Sequence, residues 1–193
     1  LDMHAKMESI QDDASAAVEM YVQTIKIQKL LGESPETVQM IMECYEEIMT
    51  YVTMIPFLNS SVIAEYAEYL DLQNDPKAEQ VWKQAEYLYS NPVRHMSKAS
   101  FADLYINMGK YFFKQQEVVE AEECFQKAYD LKKELYGQNP GIYAESFADA
   151  CLLLENVSFF CKAELLEEGM DAIWKCCQEN LDEKHILQLA DYY

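Results

Sequence analysis

Glycine and proline are scarce in this chain, five of each in 193 residues. An all-β protein needs many tight turns, and these two residues are their usual makers, so the shortage argues for long helices. Basic residues are also few: 15 Lys and Arg stand against 34 Asp and Glu, a formal charge of −19. They are spread along the chain without a cluster, which disfavours nucleic acid as a ligand, because phosphate binding draws on grouped cations. A solvated acidic surface accounts for the charge; a preference for basic or polar partners is the sharper reading. No apolar run approaches the roughly 20 residues of a membrane span, and no N-terminal signal pattern is visible. The expectation is a cytoplasmic protein that does not enter a membrane. Leu1 is not an initiator methionine, so the chain is expected to be part of a longer protein.

Chemical signatures are missing as well. The six cysteines (Cys44, Cys124, Cys151, Cys161, Cys176 and Cys177) form no C-x-x-C pair, and no histidine stands at zinc-finger spacing from them. The vicinal Cys176–Cys177 pair makes a poor structural disulfide, so free buried thiols in a reducing cytosol are expected. There is no G-x-S-x-G, P-loop, G-x-G-x-x-G or H-E-x-x-H. His4, His95 and His185 lie far apart, and the Glu46–Glu47, Glu122–Glu123 and Glu167–Glu168 pairs are explained by solvated helix faces. We therefore expect no enzyme activity, no catalytic residue, no metal and no cofactor.

What remains is abundant. Half of the residues are hydrophobic, which argues against disorder. Helix-like periodicity covers 12–31, 36–55, 60–73, 75–90, 94–115, 117–136, 141–157, 159–180 and 183–193, and a short run fills the first ten residues. Breaks fall at Gly32–Pro35, Ile55–Ser60, Gln73–Pro76, Ser90–Val93 and Gly137–Gly141. Breaks this short imply a chain of antiparallel helical hairpins. Seven of the ten methionines lie between Met3 and Met54. Core packing between long helices is the favoured account, and an adaptable binding surface is the other.

In 117–136, Ala121, Cys124, Phe125, Ala128, Leu131 and Leu135 recur at spacings of three and four, one apolar stripe on a helix. The preceding run reads Tyr105-x-x-Met108-Gly109-x-x-Phe112. A glycine inside a helix costs about 1 kcal/mol relative to alanine, so Gly109 needs a reason: close approach of a partner helix. The pattern recurs upstream as Ile63-x-x-Tyr66-Ala67-x-x-Leu70, followed by Ala78-x-x-x-Trp82-x-x-Ala85. Downstream it becomes Phe147-x-x-Ala150-Cys151-x-x-Leu154, followed by Ala163, and ends with Ile186-x-x-Leu189-Ala190-x-x-Tyr193. A period near 42 with two helices per unit is the mark of a solenoid.

On these residues the chain resembles the tetratricopeptide repeat family, whose pattern is W-x2-L-G-x2-Y…A-x3-F…P. Residues 102–135 match best, with Tyr105, Met108, Gly109, Phe112, Ala121, Phe125 and Ala128 in the expected slots. The period is similar to the 42-residue variant of kinesin light chains, and Leu135–Pro140 and Leu31–Pro35 look like its inter-repeat turn. The resemblance implies an all-α fold: a right-handed superhelix of antiparallel helical hairpins, a TPR-like α-solenoid. It would span 1–193 as one domain, with divergent helices in 1–58 and about three and a half repeats in 59–193. The chain departs from the pattern after Ala163, where Glu167 and Met170 occupy slots that ask for an aromatic and an alanine; a slip of register would account for it. In the first part, 12–31 either pairs with 36–55, which we favour, or ends a unit at Leu31–Pro35, or precedes a single helix over 36–73 kinked at Pro56.

The resemblance places a ligand groove along the first helix of each unit, off its packing face. Those positions are Asp103, Ile106, Asn107, Lys110, Phe113 and Lys114, then Glu145, Ala148, Asp149, Leu152 and Asn156, with Ser60, Ala64 and Asp71 upstream. Asn107 resembles the asparagine with which many such proteins hold a peptide backbone, its amide serving as donor and acceptor; a solvated polar residue is the plain alternative. The groove mixes Lys110 and Lys114 with Asp71, Asp103, Glu145 and Asp149. That suits an extended peptide or protein segment of polar or basic character better than an acidic tail. The expected function is a non-catalytic protein- or peptide-binding scaffold. The alternative is the ligand- or peptide-sensing region of a bacterial transcriptional or signalling regulator whose effector domain is absent here. The half-repeat of Ile186, Leu189 and Tyr193 would leave an apolar stripe for self-association.

Overall fold

The computed structural model describes residues 2–32, 34–52, 61–91, 96–158 and 162–179. Among them stand eight α-helices and no strand: α1 (Asp2–Leu31), α2 (Pro35–Val52), α3 (Ser61–Leu72), α4 (Ala78–Tyr89), α5 (Lys98–Lys114), α6 (Val118–Gln138), α7 (Pro140–Val157) and α8 (Lys162–Glu179). The all-α expectation holds. Two compact units divide the chain, Leu1–His95 and Met96–Tyr193. None of the described helices is long and apolar enough to cross a membrane. The run expected at 183–193, the final half-repeat, Pro56 and Ser60 lie outside the described residues.

In the first unit, α1 packs on α2 and α3 on α4. The favoured pairing of the first two helices is therefore the one found. The separate short helix expected in the first ten residues is not: it runs on into α1, which spans 30 residues. The connection is tight because its ends are capped from both sides. Gly32 takes φ +91°, open to glycine without strain. Ser34 N–H donates to Thr37 Oγ1 at 2.7 Å, and Thr37 N–H returns to Ser34 Oγ at 3.2 Å, a reciprocal cap on α2. Tyr45, Ile48 and Val52 of α2 are buried, and the Tyr45 ring stacks on Tyr66 of α3 at 4.8 Å. Of the seven methionines expected in this core, four can be placed and none is fully buried; Met3, Met7 and Met54 lie outside the described side chains. Met20 and Met40 are exposed, Met42 and Met49 half-buried, because isoleucine, valine and tyrosine fill the interior.

In the second unit, α6 packs against α5 on one side and α7 on the other, and α7 packs on α8. The apolar stripe of α6 is as expected except that Leu131 is half-buried, while Tyr129 and Lys132 join the buried set. Helix α6 also runs two residues past the expected boundary, through Gly137 to Gln138. Asn139 alone then separates it from α7, which opens on Pro140 at its first turn. Gly109 explains itself: a Cβ there would lie 2.5 Å from Cε1 and 2.7 Å from Cδ1 of Phe125. The Phe125 ring occupies the space that a side chain on α5 would need. Ala67 and Cys151, in the equivalent positions, are fully buried.

The same turn closes two hairpins. After α3, Asn74 has φ +54° and Asp75 N–H donates to Leu70 O at 2.9 Å. After α5, Gln116 has φ +65° and Glu117 N–H donates to Phe112 O at 2.9 Å. This is the helix-ending motif in which a left-handed residue lets the next amide reach back to a free carbonyl. Asn74 and Gln116 stand 42 residues apart, as do Leu70 and Phe112. The third hairpin departs. Ser158, 42 residues beyond Gln116, is extended (φ −71°, ψ 139°), and Ser158 N–H reaches only Leu154 O, at 2.8 Å. The chain then takes two more residues to bring α8 into register. Leu165, Gly169 and Ala172 are buried in the places of Ala121, Phe125 and Ala128, and Ala163 is exposed. Ala163 is thus not the packing residue expected; the large Leu165 is buried in its stead, and Glu167 and Met170 no longer stand in core slots.

Candidate functional site

Helix α5 starts where Ser97, extended at φ −71° and ψ 153°, accepts Ser100 N–H on its hydroxyl at 3.1 Å. Ala102, Leu104, Met108, Gly109, Tyr111 and Phe112 are buried. The residues expected to bind ligand fall between them, and none of the ten is buried. On α5, Asp103, Lys110, Phe113 and Lys114 are exposed, and Ile106 and Asn107 half-buried. On α7, Asp149 and Asn156 are exposed, and Glu145 and Leu152 half-buried. Two further positions are corrected: Ala64 and Ala148 are buried, Ala148 completely. As small residues on the packing side they let neighbouring helices close up and offer a ligand nothing.

Not all ten are equally available. Asp103 Oδ1 accepts from Lys132 Nζ at 2.7 Å. The Lys132 side chain is 6% exposed and that of Asp103 63%, so a lysine sunk in α6 emerges just far enough to meet a carboxylate at the rim of α5. Asp103 is an anchor for α6. Asn156 Nδ2 donates to Leu152 O at 2.9 Å and is engaged with its own helix. By contrast Phe113 keeps half of its surface exposed although it is a large apolar side chain. The Asp103–Lys132 pair is one of several ties along the flank of the α5–α6 hairpin. Lys98 pairs with Glu134, and Lys127 Nζ stands 4.8 Å from the Tyr105 ring centroid.

A second constellation escaped the sequence reading. Between α6 and α8, Lys133 Nζ donates to Tyr129 OH at 2.7 Å and to Glu168 Oε1 at 2.9 Å, and Tyr129 OH donates to Glu168 Oε2 at 2.5 Å. Burial pushes the Tyr129 hydroxyl up to about 12, with the Glu168 bond adding to it. Burial alone would raise Glu168, but the bonds from Tyr129 and Lys133 outweigh it and hold the carboxyl low. Lys133 is held above its ordinary value by its bonds to Tyr129 and Glu168. Nearby Cys151 is pushed up to about 12 by burial and by Glu168, so it stays a thiol at neutral pH, an unreactive packing group. Every member of this network is locked in its resting protonation state, as suits a clasp between helices. Its only sequence signal is the i, i+4 spacing of Tyr129 and Lys133; Glu168 comes from 35 residues beyond Lys133.

Each unit holds a cavity. One of about 390 Å³ is lined by Glu122, Gln126, Tyr129, Ser158, Glu164 and Glu168, with Leu154 and Leu165. In the first unit, one of about 320 Å³ has Lys29, Glu65, Glu68 and Tyr69 at its polar edge and Val38, Ile41 and Leu72 as apolar wall. There Lys29 Nζ donates to Tyr45 OH at 3.2 Å and lies 5.6 Å from the Tyr69 ring centroid. Among the described residues, no three His, Cys, Asp or Glu side chains are grouped closely enough to hold a metal ion. Cys44, Cys124, Cys151 and Cys176 are free and buried. No protein-family model matches this chain, and no curated protein matches it significantly.

Proposed function

We propose that this chain is a non-catalytic scaffold that holds an extended peptide or protein segment of polar or basic character. In this reading its hairpins are tetratricopeptide-like repeats that stack as a right-handed superhelix. Ile106, Asn107, Lys110 and Phe113 of α5, with the outward stripe of α7, receive the ligand. The observation that carries it is the α5 surface. One face is consumed by packing around Gly109, and the other presents a half-exposed phenylalanine beside an asparagine amide and two lysines. Apolar anchorage next to groups that can pair with a peptide backbone is what such recognition needs. Two more observations support the repeat reading: the recurring turn at Asn74 and Gln116, and the buried small residues at Ala67, Gly109 and Cys151. The net charge of −19 favours a cationic over an acidic partner through long-range attraction. The buried free thiols fit a reducing, cytoplasmic setting.

The test is capture from a displayed library of extended peptides, followed by calorimetry on the selected sequence. Asn107→Ala and Phe113→Ala should each weaken binding about tenfold, or about 1.4 kcal/mol, with helicity unchanged. Affinity that survives both substitutions removes this face from the site, and selection of uniformly acidic sequences overturns the proposed ligand class.

A further inference from the structure

Helix α1 is apolar on two opposite sides. One side holds Ala14, Val18 and Ile25, all buried, and α1 packs on α2. Half a turn away run Ala16, Met20, Gln23, Ile27 and Leu30, at steps of four, three, four and three residues. All five are exposed: Met20 60%, Ile27 56% and Leu30 87%, with Leu31 alongside at 69%. A strict four–three alternation is the spacing of a coiled-coil seam, and it stands at the surface. An exposed contiguous apolar stripe of this kind marks an interaction surface.

The charges beside the seam say what fits it. Glu19 precedes Met20 and Lys26 precedes Ile27, so both occupy the same flanking position one heptad apart. Glu19 Oε1 accepts from Gln23 Nε2 at 2.6 Å, which holds the carboxylate along the seam. Two copies of α1 laid antiparallel, with Met20 against Gln23 and Ala16 against Ile27, bring Glu19 of each copy beside Lys26 of the other. The two-fold axis makes that pair twice. A parallel pairing sets Glu19 by Thr24 and Lys26 by Leu31 of the other copy and makes no ion pair. Gln23 at a seam position favours one register over its slips, as single polar seam residues do.

We propose that the outer face of α1 is a homodimer interface: two copies of this chain pair through an antiparallel α1–α1 seam centred between Met20 and Gln23. The seam is short, about 27 Å of helix from residue 13 to residue 30. It belongs at the small end of specific interfaces, and the dimer should form in the micromolar range. It uses residues of α1 and none of those assigned to ligand binding on α5 and α7.

Sedimentation equilibrium of the full chain, from micromolar to several hundred micromolar, should show a monomer–dimer equilibrium. Ile27→Glu, at an exposed position, should weaken it at least tenfold with helicity unchanged. The decisive arm uses charge. Glu19→Lys and Lys26→Glu should each weaken self-association several-fold, whereas the two variants mixed should form a heterodimer as tight as the unaltered dimer. A chain that stays monomeric at the highest concentration overturns the proposal and leaves the stripe to a different helical partner. A dimer indifferent to Ile27→Glu overturns it in favour of another surface, such as the stripe of Ile186, Leu189 and Tyr193. A mixture of the charge variants that fails to pair overturns the antiparallel arrangement.

Discussion

In the α5–α6 hairpin the first helix offers a glycine and the second a phenylalanine; in the α7–α8 hairpin the equivalent positions hold a cysteine, Cys151, and a glycine, Gly169. All four are buried. The turns differ in step with the side chains. The first hairpin reverses through Gln116 in the left-handed region, and the second leaves α7 through extended Ser158 and spends two more residues before α8 meets its partner. What persists between them is a glycine on one side of the contact; the volume does not, since Cys151 with Gly169 carries far less side chain than Gly109 with Phe125. The glycine can thus change sides and the second helix shift by two residues while the first helix keeps its 42-residue spacing.

That comparison can be broken by substitution. Phe125→Ala should have the largest effect, about 3–5 kcal/mol on denaturant unfolding, since it removes a buried aromatic and leaves a cavity over Gly109. Gly109→Val should follow at about 1–3 kcal/mol, through overpacking against the Phe125 ring. If the Phe125 ring fills the space that Gly109 leaves, the double variant Gly109→Val with Phe125→Ala will be less destabilised than the two effects added; simple additivity would refute that packing argument. Asp103→Ala should cost about 1 kcal/mol, because it leaves the ammonium of Lys132, whose side chain is 6% exposed, without that carboxylate. Lys132→Met should be close to neutral in the same denaturation assay.

The smallest test concerns pH. Cys151 rises from 9.0 to about 12 and Tyr129 from 10.0 to about 12. Raised values mean that folding favours the protonated forms, so their contribution is complete below pH 9 and is lost as pH climbs towards 12. Thermal unfolding should become easier over that window, and Cys151→Ala should flatten the first part of the decline. Glu168, held low, works in the other direction: its contribution is present above its unfolded value and fades as pH falls through the folded one. An alkaline decline identical with and without Cys151 would mean that its thiol does not titrate with unfolding.

Much of the α5–α6 hairpin could be read from letters, because its signals are local and redundant: an apolar stripe at three and four, a glycine with no other reason to be in a helix, and a small–aromatic–small triplet opposite. The recurring apolar pattern near 42 residues also located helices α3 and α7. Three things were illegible for physical reasons. Lys132 lies in the apolar stripe because its long stem packs while its tip escapes to Asp103, and composition scores it as a surface residue. The two-residue shift of α8 follows an extended backbone at Ser158 that serine does not announce. Helix α1 mixes two apolar faces, which blurs the one-sided periodicity that marks a helix packed on a single neighbour. The face of α5 that we assign to ligand binding was legible only by resemblance, since any exposed helix carries polar residues at the same spacing.

The burial of Trp82 at 1% and the exposure of Trp174 at 55% give the two compact units different optical signatures. Each unit holds one indole, one shielded and one wet. Fluorescence of the unaltered protein can therefore report the melting of Leu1–His95 and Met96–Tyr193 as distinguishable events, the first by a red shift from a blue emission and the second by a change in intensity at a wavelength already near that of water. If the two signals move together at every denaturant concentration, the units unfold as one cooperative body; if they part, each is a folding unit in its own right.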